Sequence, residues 1–405
     1  MRIAAIIPGL PEPADRGTYL RYRAVMNLLR GLGQVDCCAL VDRPLADGAQ
    51  QRFAHGLDRL LAPTVAFQPW RSRWRQVLDP LAPNVRHWFD PAVSAQVATF
   101  FAGQTYDLVV LGDLVSLPYA QAAGLLRFPC WMDRARVDWE FQRQNDERAG
   151  RRGLAVRVRR RLTLRAERWA ARACTGQVVC AESDRAVLAR LHGQGVTVRV
   201  VANGVDPHDM PDQGEPPAAP VVMVAGTMDY QPNVEGVQWF VAEAWPRIRA
   251  ACAAAELHVV GRDPVPAITA LHGHEGITVT GAVPAMGPRY RATRVVVAPI
   301  RVGGGSRLKV AECWAAGRAL VATTMAMDGQ PSVPDIDHLR ADEPDSLAAA
   351  VLAALEPELN AQLRAGSSAA ALGCHWVARF APLAAEWRQR YALGAPSCNR
   401  PVGGA

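Results

Sequence analysis

The sequence predicts an α/β protein of two domains, each with a mainly parallel sheet. Short apolar runs alternate with helical stretches along the chain, a pattern typical of parallel strands covered by helices on both faces. The chain has 405 residues, more than the roughly 250 to 300 at which a single core usually divides. A proline-rich, acidic segment without apolar periodicity, 207–220, separates two series of strands. We therefore predict an N-terminal domain of residues 1–206, a linker of residues 207–220 and a second domain of residues 221–375.

The apolar runs indicate where the strands of each domain lie. In the first domain we expect strands at residues 3–8, 35–41, 108–111 and 178–180. In the second domain we expect strands at residues 221–225, 257–260, 277–280, 295–299 and 319–323. No internal repeat is evident.

The segment 294–324 carries the clearest functional pattern. An apolar strand ends at Pro299, and three consecutive glycines follow at 303–305. Glycines let the chain turn tightly and bring its amides close to a ligand. Ser306 is the expected cap of a helix over 307–316. A glycine loop between a buried strand and a helix is typical of a phosphate site, although glycines also form ordinary turns.

Three charged residues accompany this loop. Arg301 and Lys309 lie where a helix amino terminus already favours anions, so either side chain can bind a diphosphate. Glu312 follows Lys309 by three residues and its carboxylate can accept hydrogen bonds from a ribose diol. The combination predicts a nucleoside diphosphate, and the alternative is a set of solvated charges beside a structural turn.

Several motifs of this chain together resemble the retaining GT-B glycosyltransferases, in particular glycosyltransferase family 4. They are the Asn-Gly-Val-Asp step at 203–206, a strand ending at Gly226, a strand closing on Val-Gly at 260–261 and the glycine loop with its helix at 298–317. The stretch GTMDYQPNVEGVQWF, residues 226–240, is similar to a bacterial branch associated with exopolysaccharide and exosortase systems.

The resemblance implies two Rossmann-like domains that face each other across a cleft, with a final segment, 376–405, whose helix crosses back to the first domain. It implies transfer of a sugar from a nucleoside-diphosphate sugar to a hydroxyl of a glycan, a lipid-linked glycan or a small molecule, with retention of configuration. Neither a metal nor another cofactor is expected. Arg301 and Lys309 would stabilise the leaving diphosphate. The expected donor-binding residues are Gly226, Arg301, Gly303, Gly304, Gly305, Ser306, Arg307, Lys309 and Glu312.

The chain departs from the family pattern at one position. The family signature has two glutamates with seven residues between them, of which Glu312 matches the second and Gly304 stands at the first. The donor sugar therefore lacks its usual carboxylate there. A noncatalytic nucleotide-sugar-binding or scaffold protein of the same fold remains an alternative, as does a sugar phosphorylase or an epimerase. A dehydrogenase is the weakest alternative, because no GxGxxG follows the first strand.

The first domain offers its own candidates at the ends of strands. By resemblance, the loop that contains Gly17 and Thr18 would lie under the donor phosphates and the acceptor. Asp113 and Asp133 follow strand-like runs, where functional groups concentrate in α/β sheets, and either is equally explained as a helix cap. The histidine that many family members carry in this domain has no counterpart, so its role stays unassigned.

The composition excludes several classes of protein and site. The amino-terminal apolar run at residues 3–7 is shorter than the ~7 to 15 residues of a secretory signal, and no segment supplies the ~20 of a membrane span. These lengths predict a cytoplasmic protein. Nine cysteines without a CxxC spacing indicate free thiols rather than disulfides or structural zinc. His272 and His274 flank a glycine with no third ligand nearby, so a plain loop is favoured over a metal site.

The net charge of +7 is concentrated in one segment. Arginines are dense between Arg151 and Arg172, where Leu154 and Trp169 belong to an interrupted apolar stripe. The segment is either a basic amphipathic helix that contacts an anionic membrane peripherally, on its inner face, or a solvated helix packed on the first domain. No nucleic-acid motif accompanies the arginines, and we expect no nucleic-acid partner.

Overall fold

The chain folds into two compact units in a computed structural model that describes residues 1–14, 17–67, 81–206, 208–303 and 307–392. The first unit contains Met1–Cys180, Asp184–Val201 and the chain from Phe380 onward. The second unit contains Ala181–Ser183 and Ala202–Arg379. Each unit has its own parallel sheet, which confirms the predicted fold class of two parallel-sheet α/β domains.

The first unit is built on a seven-stranded sheet in the order β3-β2-β1-β4-β5-β6-β7, with every pair parallel. Its central strands are buried along almost their whole length, as expected of strands covered on both faces. The strands are β1 (Arg2–Pro8), β2 (Gln34–Leu40), β3 (Arg59–Leu61), β4 (Leu108–Gly112), β5 (Cys130–Asp133), β6 (Gly176–Val179) and β7 (Thr197–Val200).

Helices surround this sheet, and several of them begin at a proline, whose fixed φ and missing N–H suit a first helical position. They are α1 (Gly17–Arg30), α2 (Ala49–Ala54), α3 (Pro83–Trp88), α4 (Pro91–Phe101), α5 (Leu117–Ala122), α6 (Asp138–Arg148), α7 (Leu154–Ala173) and α8 (Glu182–His192). Short 3-10 turns occur at Leu114–Ser116, Leu125–Arg127 and Gly193–Gly195.

The second unit is built on a six-stranded parallel sheet in the order β10-β9-β8-β11-β12-β13. Two apolar clusters pack on its opposite faces: one contains Trp245 and Leu257, and the other contains Trp314 and Met223. The strands are β8 (Val221–Ala225), β9 (Glu256–Val260), β10 (Ile277–Gly281), β11 (Val295–Ala298), β12 (Ala319–Ala322) and β13 (Leu339–Arg340).

Most helices of the second unit lie between consecutive strands, as the βαβ pattern requires, and the last ones follow the final strand. They are α9 (Gln231–Trp239), continued by a π-helical segment at Phe240–Ala244, then α10 (Trp245–Ala251), α11 (Pro266–Thr269), α12 (Gly287–Arg291), α13 (Leu308–Ala315), α14 (Pro344–Leu355) and α15 (Pro357–Leu372). A 3-10 turn lies at Thr324–Met327. The last helix, α16 (Trp376–Tyr391), begins in the second unit and continues into the first from Phe380.

All nine expected strands are present, with ends within two residues of the prediction. Four further strands, β3, β5, β7 and β13, were not predicted. They are two to four residues long, and each contains a charged residue or lies half-exposed, so they lack the continuous apolar run used to recognise strands.

The segment expected to be a linker, 207–220, lies within the second unit, and Pro207 itself falls outside the described residues. Arg318 donates to the Gln213 and Gly214 carbonyls, and Arg294 donates to the Pro217 carbonyl. Because the buried Arg318 and the half-buried Arg294 hold its backbone, this proline-rich segment is part of the folded unit despite its lack of apolar periodicity.

Candidate functional site

The strand order of the second unit brings two loops together at one edge of its sheet. Strand β8 pairs on one side with β9, the next strand along the chain, and on the other side with β11. Ligands of open α/β sheets bind where the order of strands reverses in this way, beyond the carboxyl ends. Gly226 follows β8 there, and the segment from Pro299 to Gly303 follows β11.

Gly226 is packed too closely for any other residue. With φ at 153°, a Cβ atom at this position would lie 2.6 Å from Asn233 Nδ2 and 3.0 Å from Lys309 Nζ. A Cβ on Gly261, in the next strand connection, would lie 1.6 Å from the Gly226 carbonyl oxygen. The structure therefore places Gly226 beside Lys309, and the close packing favours glycine at this position.

Lys309 lies in the first turn of α13, with its side chain buried. Its ammonium donates to Asn233 Oδ1 at 2.8 Å, and Asn233 Nδ2 donates to the Thr227 carbonyl at 2.8 Å. Asn233 belongs to α9, so helices α9 and α13 and the loop after β8 are joined through one amide side chain. An ammonium has three donors, and this contact uses one of them.

The electrostatic environment of Lys309 disfavours its charged form. Burial, and then the neighbouring Arg307 guanidinium, lower the pKa of Lys309 to about 7, while the Glu312 carboxylate opposes the shift. An anion that binds beside such a buried ammonium stabilises its charged form, because the anion compensates for the hydration that burial removed.

Glu312 is half-buried on the same helix and accepts a hydrogen bond from the Tyr290 hydroxyl at 3.3 Å. Burial raises the pKa of Glu312, and the Tyr290 hydrogen bond and the Lys309 charge offset part of that shift. A carboxylate offers about four acceptor positions. Glu312 therefore keeps acceptor capacity for hydroxyl groups of a ligand.

The two arginines of the expected site behave differently. Arg301 is exposed, and its guanidinium carbon lies 4.8 Å from the centre of the Trp239 ring. Arg307 is buried and donates to the Gly303 carbonyl at 2.8 Å, which ties the glycine loop to the start of α13. Arg307 thus holds the loop's backbone, whereas Arg301 stays at the surface with a stacking partner.

The glycine loop itself is described in part. Gly303 has φ at 104°, a conformation that favours glycine. Gly304, Gly305 and Ser306 lie outside the described residues. Helix α13 begins at Leu308 with Arg307 as its flanking residue, one residue later than predicted, and ends in a Schellman motif at Gly317.

The candidates of the first unit lie at the carboxyl ends of β1, β4 and β5. Gly17 and Thr18 form the exposed first turn of α1. Asp133 is buried and paired with Arg21 through two hydrogen bonds of 2.8 and 2.6 Å, so its role is structural. Asp113 is half-buried with φ at 52°, and it accepts from the Tyr22 hydroxyl and the Ala135 amide. Neither aspartate caps a helix through its side chain.

The sequence interpretation missed Asn233, because an asparagine directly after Tyr-Gln-Pro carries no recognised signal. It also overlooked a compositional signal for Lys309. Lys309 is the only lysine of the chain, and the other 44 of the 45 basic residues are arginine. A single lysine in an arginine-rich chain marks a position where a compact ammonium is needed and a planar guanidinium does not fit.

The basic segment is the helix α7, which has both an inner and an outer face. Leu162 and Trp169 pack against the apolar core of the first unit. Leu154, in contrast, is 69% exposed at the first turn. Exposed arginines follow each other at helical spacing along the outer face: Arg157, Arg161, Arg165, Arg168 and Arg172.

Three further features concern metals, thiols and membranes. Within the described ranges, no group of three or more histidine, cysteine, aspartate or glutamate side chains is arranged to hold a metal ion. The eight cysteines of the same ranges are free, and all except Cys252 are buried. No described helix combines the length and the apolar character needed to span a bilayer.

Part of the second unit matches a known protein family. Residues 219–357 match the family model described as "Glycosyl transferases group 1". No curated protein sequence matches the chain. The matched residues lie within the second unit and make up about a third of the chain.

Solved structures share this fold across almost the whole chain at low identity. Sucrose-phosphate synthase from Thermosynechococcus elongatus is 18% identical, covers 97% of this chain and 99% of its own, and has a TM-score of 0.69. Anabaena HepE in complex with UDP-glucose is 13% identical, covers 96% and 100%, and has a TM-score of 0.67. Trehalose 6-phosphate synthase from Burkholderia multivorans is 15% identical, covers 97% and 99%, and has a TM-score of 0.64.

Proposed function

We propose that this chain is a retaining glycosyltransferase that moves a sugar from a nucleoside-diphosphate donor to an acceptor hydroxyl without a metal ion. The observation that carries the proposal is the buried ammonium of Lys309, which Asn233 holds at the edge of the second unit's sheet. The ammonium lies in the first turn of α13, where helix N–H groups also favour an anion.

The chemistry follows from where negative charge develops. When the glycosidic bond to the diphosphate breaks, charge builds on the leaving phosphate oxygens, and a preorganised cation in a dry site stabilises that charge. Lys309 and the amides of the glycine loop supply this stabilisation, with Arg301 at the surface of the site. Glu312 binds the ribose hydroxyls. The departing diphosphate accepts the proton of the acceptor hydroxyl, so no nucleophilic side chain is required.

The substrate class rests on the fold relatives. Anabaena HepE has been crystallised with UDP, with UDP-glucose, and with UDP and glucose. We propose that a uridine-diphosphate sugar is the first donor to test, and that the enzyme belongs to glycosyltransferase family 4 and acts in bacterial polysaccharide synthesis. The motif at residues 226–240 supports that last step.

The test is nucleotide binding by calorimetry, with UDP, GDP, ADP and their glucose conjugates as probes. We expect one nucleoside diphosphate to bind the wild-type protein and Lys309→Ala to bind it about 10- to 100-fold more weakly, since a hydrogen bond to a charged group contributes ~1.5 to 3 kcal/mol. Turnover of the matching donor should fall by roughly 10² to 10³. Wild-type binding of none of these nucleotides would refute the proposal.

Two controls sharpen this test. Arg291→Ala removes an exposed positive charge from the same unit and should leave nucleotide affinity unchanged. Release of UDP from UDP-glucose, measured with and without added sugars and with inorganic phosphate, separates the alternatives. A transferase responds to an acceptor, a phosphorylase responds to phosphate, and a noncatalytic binding protein releases nothing.

We also propose that the chain contacts an anionic membrane surface peripherally through residues 151–172. The exposed arginines of α7 support this contact, because each basic residue near such a surface contributes ~1 kcal/mol. Since Leu162 and Trp169 pack inward, the contact is mainly electrostatic and Leu154 is its apolar component.

A further inference from the structure

Asp113 occupies the position in the first unit where a ligand of an α/β sheet is expected. Strand β1 pairs with β2 on one side and with β4 on the other, so the strand order reverses between β1 and β4. Asp113 directly follows β4 at this reversal. A Cβ on the preceding Gly112 would lie 2.6 Å from Pro8 Cδ and 2.9 Å from Tyr22 Cε1, so β1, β4 and α1 meet closely beside Asp113.

The backbone of Asp113 is in a conformation that only glycine adopts easily. Its φ is 52° and its ψ is 170°. An L-residue held in such a region costs of the order of 1 to 3 kcal/mol, and residues of this kind concentrate at functional sites. Asn or Gly would fit the same turn with equal or less strain, so the turn itself does not explain an aspartate.

The carboxylate of Asp113 is positioned but not neutralised. Oδ2 accepts from the Tyr22 hydroxyl at 2.5 Å and Oδ1 accepts from the Ala135 amide at 3.1 Å. Within the described residues no basic side chain pairs with it, because Arg21 is engaged by Asp133 and Arg134 by Glu167. Two of about four acceptor positions are used, and the residue is half-exposed.

The charged and titratable groups around Asp113 come from four elements. Asp138 at the start of α6 repels it, Arg134 after β5 attracts it, and Tyr22 in α1 donates to it. Arg21 in α1 also attracts it, and the Cys180 thiol after β6 interacts with it electrostatically. Burial and Asp138 outweigh the other effects and raise the pKa of Asp113 to about 6. The carboxylate is therefore the main form at neutral pH, and its protonation on mild acidification would remove an acceptor.

We propose that Asp113 is the residue of the first unit that binds a sugar hydroxyl, and that this hydroxyl belongs to the acceptor. A carboxylate with free acceptor positions at a sheet edge suits a hydroxyl donor, and the two existing hydrogen bonds fix its orientation. The assignment of the hydroxyl to the acceptor rests on the proposed glycosyltransferase function, whereas the sugar contact itself does not depend on it.

The test is direct sugar binding, measured by saturation-transfer NMR with methyl glucoside, methyl galactoside, methyl mannoside and methyl N-acetylglucosaminide. We expect the wild-type protein to bind at least one glycoside at pH values well above 6. Asp113→Asn should bind it about 10- to 100-fold more weakly, since the lost contact is a hydrogen bond to a charged group. The wild-type protein should lose the same signal below pH 6, and the variant should show no such pH dependence.

Two further variants control for misfolding and for the loss of a negative charge. Asp113→Gly relieves the backbone strain, which offsets the loss of the two side-chain hydrogen bonds, so it should remain folded and still lose sugar binding. Asp47→Asn changes an exposed aspartate of the same unit and should behave as wild type. Equal binding by wild type and Asp113→Asn, or no binding of any glycoside by the wild type, would overturn the proposal.

The experiment also separates this proposal from the proposed function. UDP affinity, measured on the same proteins, should be unchanged by Asp113→Asn. If no nucleotide binds but glycoside binding depends on Asp113, the transferase proposal fails and the sugar contact stands. If UDP-dependent transfer occurs and Asp113→Asn raises the KM of the donor rather than that of the acceptor, the assignment to the acceptor is wrong.

Discussion

Lys309 shows how one residue depends on its partners for its chemistry. A lysine on a solvated helix would carry an ordinary ammonium, but here burial and Arg307 lower the pKa to about 7. Asn233 accepts from the ammonium without adding a compensating charge, because its side chain is neutral. The site therefore holds a cation that is incompletely charged until an anion binds.

This arrangement predicts that nucleotide binding takes up a proton. A bound diphosphate favours the ammonium and raises its pKa, so binding takes up a proton at pH values between about 7 and the pKa of the complex. Affinity for a nucleoside-diphosphate sugar should be constant below pH 7 and should fall by up to about tenfold per pH unit above it. Calorimetry in buffers of different ionisation enthalpy measures the proton uptake directly.

A second measurement uses the fact that the chain has one lysine. Protein grown with ¹³C-labelled lysine gives a single side-chain signal, whose titration reports the pKa of Lys309 with and without UDP. Asn233→Asp should raise that pKa and move the loss of affinity to higher pH, while Asn27→Asp, at an exposed amide, should not. An unperturbed lysine pKa in the free protein would contradict the prediction.

At the scale of elements, the site depends on how closely α9 approaches the end of β11. Gly236 lies in the middle of α9, and a Cβ there would lie 2.4 Å from the Pro299 carbonyl oxygen. Helix α9 carries Asn233, and Pro299 leads to Arg301 and Gly303. The absence of a side chain at Gly236 therefore sets the distance between the two segments that form the site.

Gly236→Ala should consequently destabilise the protein, although alanine is the better helix former by about 1 kcal/mol. The new methyl group overlaps a backbone carbonyl that cannot rotate away, and such overpacking typically costs ~1 to 3 kcal/mol. Urea unfolding measures the stability, and UDP affinity should also fall. Gln238→Ala, at an exposed position of the same helix, should be neutral or slightly stabilising. Equal stabilisation by both substitutions would show that α9 has room to move.

At the scale of the whole molecule, membrane binding depends more on where the positive charges lie than on the net charge. The net charge is +7, yet many arginines are engaged within the fold. Arg21 and Arg134 are buried in ion pairs, and Arg318 holds backbone carbonyls. The outer face of α7, in contrast, carries a row of exposed arginines.

We predict that the protein binds vesicles of anionic phospholipid at low salt and releases them as the salt concentration rises, because exposed charges are screened over ~10 Å at 0.1 M. Flotation of the wild type should exceed that of a triple variant, Arg161→Ala, Arg165→Ala and Arg168→Ala. A control triple variant, Arg127→Ala, Arg291→Ala and Arg340→Ala, loses the same three positive charges as the first variant. It should nevertheless float like the wild type. Equal flotation of the two variants, or none by the wild type, would exclude α7 as a membrane contact.

The sequence by itself determined the two-sheet α/β class and nine of the strands, and it predicts a nucleotide site around Lys309 and Glu312. These follow from local patterns, since buried parallel strands are continuous apolar runs and a glycine loop before a helix is contiguous in the chain. Only the tertiary structure decided what lies beside them. Asn233 contacts Lys309 across 76 residues, and Arg21 pairs with Asp133 across 112. The tertiary structure also sets the pKa values of Lys309 and Asp113 and the backbone strain at Asp113. These properties depend on burial and on the approach of distant strands, which no local spacing of residues encodes.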